Sequence, residues 1–195
     1  MIKIGILGDI GSGKSFVAKE FGCPVFNADR EVTKIYKTDK SCYVKLNKKL
    51  SKYIKSYPVK KKELGRAILE NKNNLKKIVK TVHPIVRKRM NNFLKKNYKS
   101  KMVVLDIPLL IENKMYDKNF VLIFIKAKKS HINKKLKERS NYNRVLINSF
   151  RKLQTSIKTK KKLSHYVIKN NFKLLSIKKN VTFIKKKILY DRNCT

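Results

Sequence analysis

At 195 residues, 42% of them hydrophobic, the chain has room for one α/β domain with small inserted lobes, which excludes a wholly disordered reading. No apolar run approaches the roughly 20 residues that span a bilayer, so neither a membrane-spanning helix nor a membrane partner is expected. The net charge of +39 would ordinarily point to nucleic acid. Yet the basic residues are spread along the chain and 43 of the 51 are lysine, which, like the abundant Asn and Ile, has A/T-rich codons; no specific nucleic-acid partner is expected.

Ile2–Leu7 is an almost unbroken apolar run and predicts a buried central strand. It runs directly into Gly8-Asp9-Ile10-Gly11-Ser12-Gly13-Lys14-Ser15, which fits G-x-x-x-x-G-K-[ST] in full and predicts a nucleotide triphosphate site. The glycines let the backbone bend with its N–H groups turned towards an anion, and the dipole of a following helix favours the same charge. Lys14 can reach the β- and γ-phosphates, and the Ser15 hydroxyl can join the coordination of Mg²⁺. Gly11, Ser12, Gly13, Lys14, Ser15 and Phe16 are therefore the candidate ATP contacts. The apolar spacing of Phe16, Val17 and Phe21 predicts a helix that Gly22 stops.

Pro24–Asn27 reads as a short second strand, and Ala28-Asp29-Arg30 opens the next helix. Ligands of open parallel sheets bind at the carboxyl ends of the strands, so Asp29 is expected on the same rim as Lys14; a helix N-cap is its structural alternative. From 30 to 99 the strand signal disappears. Leucine, isoleucine and valine recur at helical spacing through Leu64, Ile68, Leu75, Ile78 and Val82, which predicts a helical insertion too long for a plain crossover. Pro84 is expected to kink or restart the helix after His83, itself either structural or a ligand contact.

Met102–Asp106 returns to the sheet as an apolar run closed by an acid. That resembles the second nucleotide-binding motif of NTPases, which makes Asp106 a second candidate for holding Mg²⁺. Ile107–Glu112 reads as a turn into a helix, and Val121–Ile125 as a fourth strand. Residues 127–162 form a strongly basic helical segment with Glu138 almost its sole acid and three of the eight arginines, Arg139, Arg144 and Arg151. A lid that brings cations to a transferring phosphate has this composition, and so does a solvated basic helix pair. Tyr166–Ile168 is a last short strand ending at Asn170-Asn171, and an amphipathic helix from Val181 to Leu189 covers the sheet. The expected division is a nucleotide-binding core of 1–29, 100–126 and 163–195, a helical insertion of 30–99, and a lid of 127–162. Cys23, Cys42 and Cys194 are odd in number with no C-x-x-C pair, which suits a reducing cytoplasm. Chemistry within the first fifteen residues argues against a cleaved signal. His83, His131 and His165 share no ligand spacing with the cysteines, so no zinc site is expected.

Taken together, these motifs resemble the dephospho-CoA kinase family over nearly the whole chain. The likeness rests on Gly8–Ser15, on Asn27-Ala28-Asp29 where the family has Asp-Ala-Asp, and on Leu64-Gly65 with Ile68-Leu69 ahead of His83-Pro84. It continues in Pro108-Leu109-Leu110-x-Glu112, in Arg139, Arg144, Gln154 and Lys160 at family-like spacing, and in Val167-Ile168-x-Asn170. Asp9 stands where the family usually has Gly, and Ser164-His165 where it has Ala-Asp. The resemblance implies a P-loop NTPase fold with a five-stranded parallel sheet, flanking helices, a helical substrate-binding insertion and a small helical lid. It implies transfer of the γ-phosphoryl of MgATP to the ribose 3′-hydroxyl of 3′-dephospho-CoA by a cytoplasmic enzyme, a monomer or weak homo-oligomer. It assigns catalysis to Lys14, Asp29 and Arg139, with Arg144 and Asn170 added to the ATP contacts. The CoA precursor would be held by Asp29, Leu64, His83, Arg87, Pro108, Leu109 and Glu112. Another nucleoside monophosphate-type kinase is the alternative, and a nucleic-acid-binding NTPase a more distant one.

Overall fold

In the computed structural model, which describes residues 1–140 and 142–193 (backbone only for Arg192 and Asn193), Ile2–Gly8 forms strand β1 at the centre of a sheet. Lys14–Glu20 is helix α1, Val25–Asn27 strand β2, Ala28–Thr38 helix α2, Lys40–Lys49 helix α3, Lys61–Glu70 helix α4 and Lys72–Lys96 helix α5. Met102–Asp106 is β3, Phe120–Ala127 β4, Lys129–Lys137 α6, Arg144–Lys152 α7, Ile157–Lys162 α8, Tyr166–Asn170 β5 and Leu174–Asn193 α9. Cys194 lies outside the described residues.

The five strands pair in parallel in the order β2-β3-β1-β4-β5. A parallel sheet is covered on both faces, which is why β3 and the first six residues of β4 are buried without alternation. Val17 of α1 and Phe21 just after it pack on the sheet core formed by Ile4, Ile6, Val104, Ile123 and Ile168, and Ile177, Val181, Ile184 and Ile188 of α9 join them. That last stripe, at spacings of four, three and four, explains why α9 begins at Leu174 rather than near Val181: Ile177 extends the buried face by one turn. Register places Asn27 opposite Asp106, and β1 runs in step with β3 from Ile2 opposite Met102 to Gly5 opposite Leu105, so the carboxyl ends of β1, β2 and β3 share one rim.

By contacts the chain falls into two units, one of residues 1–27, 97–142 and 153 onward, the other of residues 28–96 and 143–152. The second unit is helical, with Ile35, Leu46, Ile54, Ala67, Leu75, Ile78, Val82 and Val86 buried in it. Asp39 caps α3 by accepting from Cys42 N–H at 2.8 Å, and Arg89 of α5 donates to Glu31 of α2 at 3.0 Å. Helix α7 groups with this unit, packed on α4 with Leu146 beside Gly65. Of the kink or restart expected at Pro84, the restart does not occur, because the proline lies inside α5, which runs on past it. The buried stripe Ile78, Val82, Val86, Met90 continues on both sides of it, and that burial outweighs the roughly 3 kcal/mol an internal proline costs. The segment after β3 corrects the expected turn into a helix: it is a series of turns. Lys114 takes a left-handed φ of 48°, and the Asn113 amide donates back to Leu109 C=O at 2.8 Å, which closes the turn.

Candidate active site

The loop between β1 and α1 is held from several sides within the first unit. Gly13 has φ +83°, and a Cβ there would lie 2.3 Å from the Asn170 amide nitrogen, so only glycine fits. Asn170 is buried at the end of β5; its Nδ2 donates to Ser12 C=O at 2.8 Å while its Oδ1 accepts from Phe172 N–H at 2.8 Å. Gly11, at φ +85°, sits under Leu136 and Ile132 of α6, which thereby roofs the loop. Ser12 is buried with no hydrogen-bond partner for its hydroxyl among the described residues. An orphaned hydroxyl on a glycine-rich loop suits an oxyanion ligand.

Asp9 turns one carboxylate oxygen onto Ile10 N–H at 2.7 Å, so part of its charge is engaged by the loop itself. Lys14 Nζ donates to Asp9 C=O at 2.8 Å and to Gly8 C=O at 3.3 Å. Phe16, by contrast, packs partly buried against the sheet core.

Ser15 leads directly to the end of β3. Its hydroxyl donates to Asp106 Oδ2 at 2.5 Å, and Asn27 Nδ2 donates to the same oxygen at 2.6 Å and lies 3.4 Å from Ser15 Oγ. Asp106 is 3% exposed. A hydroxyl and a buried carboxylate that touch across 91 residues are hard oxygen donors of the kind Mg²⁺ takes. No group of three or more His, Cys, Asp or Glu side chains able to hold a metal occurs among the described residues. The donor set therefore fits an ion that keeps several other oxygen ligands, such as phosphates and water.

Glu112, expected against substrate, accepts from Thr155 N–H at 2.6 Å, and its Oε1 lies 3.3 Å from Lys160 Nζ. Lys160 is itself buried and donates to Gln154 at 2.8 Å. The P-L-L-x-E turn is thus clamped to the segment that leads into α8. Pro108 and Leu109 are half-buried in that turn, while Leu110 packs beside Gly5 of β1. Arg139 is exposed at the C-terminal end of α6.

The other expected residues lie in the helical unit. Asp29 is exposed in the first turn of α2, two residues beyond the end of β2. Arg144 is exposed at the start of α7, and Arg87 is exposed on α5. Leu64 is part of the unit's core. His83 is half-buried; burial first, and the Arg87 charge second, hold its imidazole below the usual histidine range and favour the neutral ring.

Sequence reasoning did not find the contacts of Asn27 and Asn170. An amide carries no periodicity, and its partners are 79 and 158 residues away. It also did not find that Phe172 follows the β5 turn with φ 62° and meets His131 of α6 edge to face at 6.2 Å.

Comparison with known proteins gives consistent relatives. A family model described as dephospho-CoA kinase matches residues 2–176. The dephospho-CoA kinase of Wolbachia pipientis wMel is 33% identical over 193 residues, 96% of each chain. Among solved structures, TT1252 from Thermus thermophilus superposes with TM-score 0.76 at 24% identity over 97% of both chains. The dephospho-CoA kinase from Campylobacter jejuni superposes with TM-score 0.61 at 21% identity, covering 95% of this chain and 96% of that one. These two likenesses concern the fold.

Proposed function

The chain belongs to the dephospho-CoA kinase family, and from that premise we propose that it transfers the γ-phosphoryl of MgATP to the ribose 3′-hydroxyl of 3′-dephospho-CoA, yielding CoA and ADP in the cytoplasm. The observation that carries the ATP half is the meeting of Ser15 with Asp106 beside the Lys14 loop. Ser15 and Asp106 would hold Mg²⁺, which supplies charge neutralisation on the phosphates when bound. Lys14 trades its two loop carbonyls for β- and γ-phosphate oxygens and balances the charge that builds up there. The loop N–H groups, kept in place by Gly11, Gly13 and Asn170, fix the phosphates in line. Asp29 accepts a hydrogen bond from the acceptor hydroxyl and orients its lone pair; an ordinary carboxylate suffices if proton transfer comes late in a loose transition state. Arg139 and Arg144 pair with the transferring phosphate, a role worth about 10³-fold or more in rate for an arginine of this type. His83, Arg87 and Leu64 in the helical unit, and Pro108, Leu109 and Glu112 in the sheet unit, are the residues that the family resemblance assigns to the CoA precursor. The working form is a monomer or weak homo-oligomer.

A coupled ADP assay tests the proposal. Turnover with MgATP is expected only when dephospho-CoA is added. Equal turnover with a nucleoside monophosphate, or stimulation by RNA in place of dephospho-CoA, would overturn it.

A further inference from the structure

A cavity of about 420 Å³ lies within the first unit, at the end of the sheet opposite to the phosphate loop. Phe120 and Val121 at the start of β4 and Ile188 near the end of α9 are buried and give it an apolar floor. Lys118, His165, Tyr166 and Asp191 complete the lining. Register sets Phe120 opposite Lys3, so the floor lies about 16 Å along β1 from Gly8, where the loop begins. His165 is locked onto β4 through two of its atoms. Its backbone N–H donates to Leu122 C=O at 2.8 Å, and its Nδ1 accepts from Leu122 N–H at 3.0 Å. A neutral imidazole that accepts at Nδ1 carries its proton on Nε2, so the ring serves a ligand as a donor at Nε2, in an orientation that β4 holds. Lys118 adds an ammonium. The Tyr166 hydroxyl donates to Asp191, which engages one oxygen of that acid, and Lys187 Nζ lies 5.9 Å from the centroid of the Tyr166 ring. An apolar floor with a few placed polar groups is the make-up of a small-molecule site. None of these side chains serves the site described above.

We propose that this cavity binds a small amphipathic acid, its apolar or aromatic body on Phe120, Val121 and Ile188 and its carboxylate on Lys118 and the Nε2–H of His165. A carboxylate gains a charge-assisted bond from each of these two donors. A cationic ligand would instead meet the Lys118 ammonium and find Asp191 already bonded to Tyr166. The floor takes the part of the ligand that water solvates worst, and that burial supplies affinity the head alone lacks. Because the cavity is set apart from the phosphate loop along the whole of β1, this ligand and a nucleotide can occupy the chain together.

The test follows 4-fluorophenylacetate by fluorine NMR as the full chain is titrated in, at about 150 mM salt, where screening confines charge effects to about 8 Å. Wild type is expected to bind it about tenfold or more tightly than the uncharged 4-fluorophenylacetamide, which lacks the charged head, and than trifluoroacetate, which lacks the body. Lys118→Gln and His165→Asn are each expected to weaken binding about threefold or more, and together about tenfold. The asparagine still offers an acceptor to Leu122 N–H but no donor at the Nε2 position. Lys48→Gln, the same change of charge on exposed α3 of the other unit, is expected to leave affinity within about twofold, as is saturation with the nucleotide analogue AMP-PNP. Circular dichroism checks that each variant is folded. No binding of 4-fluorophenylacetate by wild type would overturn the proposal, and so would equal affinity for the acid and either partial probe; neither result depends on a variant. Equal affinity of wild type and the folded double variant, an equal loss in Lys48→Gln, or displacement of the probe by AMP-PNP would overturn it as well.

Discussion

Lys160→Met leaves the Glu112 carboxylate in a closed pocket with its cation gone. The side chains of Lys160 and Glu112 are 3% and 12% exposed, Glu112 Oε1 already serves Thr155 N–H, and Glu112 Oε2 has no partner among the described residues. Water offers little rescue at such burial. Breaking a buried pair from one side costs about 3–5 kcal/mol, because the remaining charge loses its partner but not its desolvation penalty. For a chain of this length each kcal/mol lowers Tm by about 2–4 °C, so the variant should melt about 6–20 °C below wild type. Glu112→Leu combined with Lys160→Met removes the stranded charge and takes these partners from Thr155 N–H and Gln154 Oε1, about 1–3 kcal/mol each. The double variant should therefore be more stable than Lys160→Met alone. Urea unfolding followed by far-UV circular dichroism, alongside thermal melts, reads both. If Lys160→Met lies within about 0.5 kcal/mol of wild type, or the double variant shows the sum of the two single losses, the pair is not the buried clamp described here.

Three further outcomes are expected. Gly13→Ala forces a side chain into a left-handed backbone and against the Asn170 amide, so ATP affinity measured by calorimetry should fall about tenfold or more, the equivalent of the 1–2 kcal/mol such a conformation costs. Asp29→Asn should lower kcat by about 10²-fold or more while the Kd for ATP changes little; an unaltered kcat would reduce Asp29 to an acidic residue in the first turn of α2. His83 has its native pKa depressed by burial and by Arg87, so the unfolded chain binds its proton first. The stability it contributes is present above the ordinary value of 6.5 and is lost as pH falls through the lower native value. His83→Gln should flatten that fall in urea midpoints between about pH 7 and 5, and an unchanged pH profile would refute the assignment.

Several of these residues were legible only by type and position. Lys14 and Ser15 announce themselves because the loop, the strand before it and the helix after it are contiguous, and local chemistry suffices to define them. Asp106 is visible as an acid at the end of an apolar run, but its contact with Ser15 follows from β3 lying beside β1, and strand order has no local signal. The turn after β3 and the absence of a restart at Pro84 went against the sequence for the opposite reason: there a local preference exists, and packing or a side-chain bond to the backbone overrides it.

The amino-acid sequence by itself determined the alternation of strand and helix, the phosphate loop and the family, since each depends on residues close in the chain or on a period they share. Tertiary structure decided which distant groups meet: Asn27 and Ser15 on one oxygen of Asp106, Asn170 on the loop backbone, Lys160 against Glu112, and α7 on α4. Those pairings depend on the order of strands and the burial of polar groups, which are set when the whole core closes and leave no periodic trace in the residues that make them.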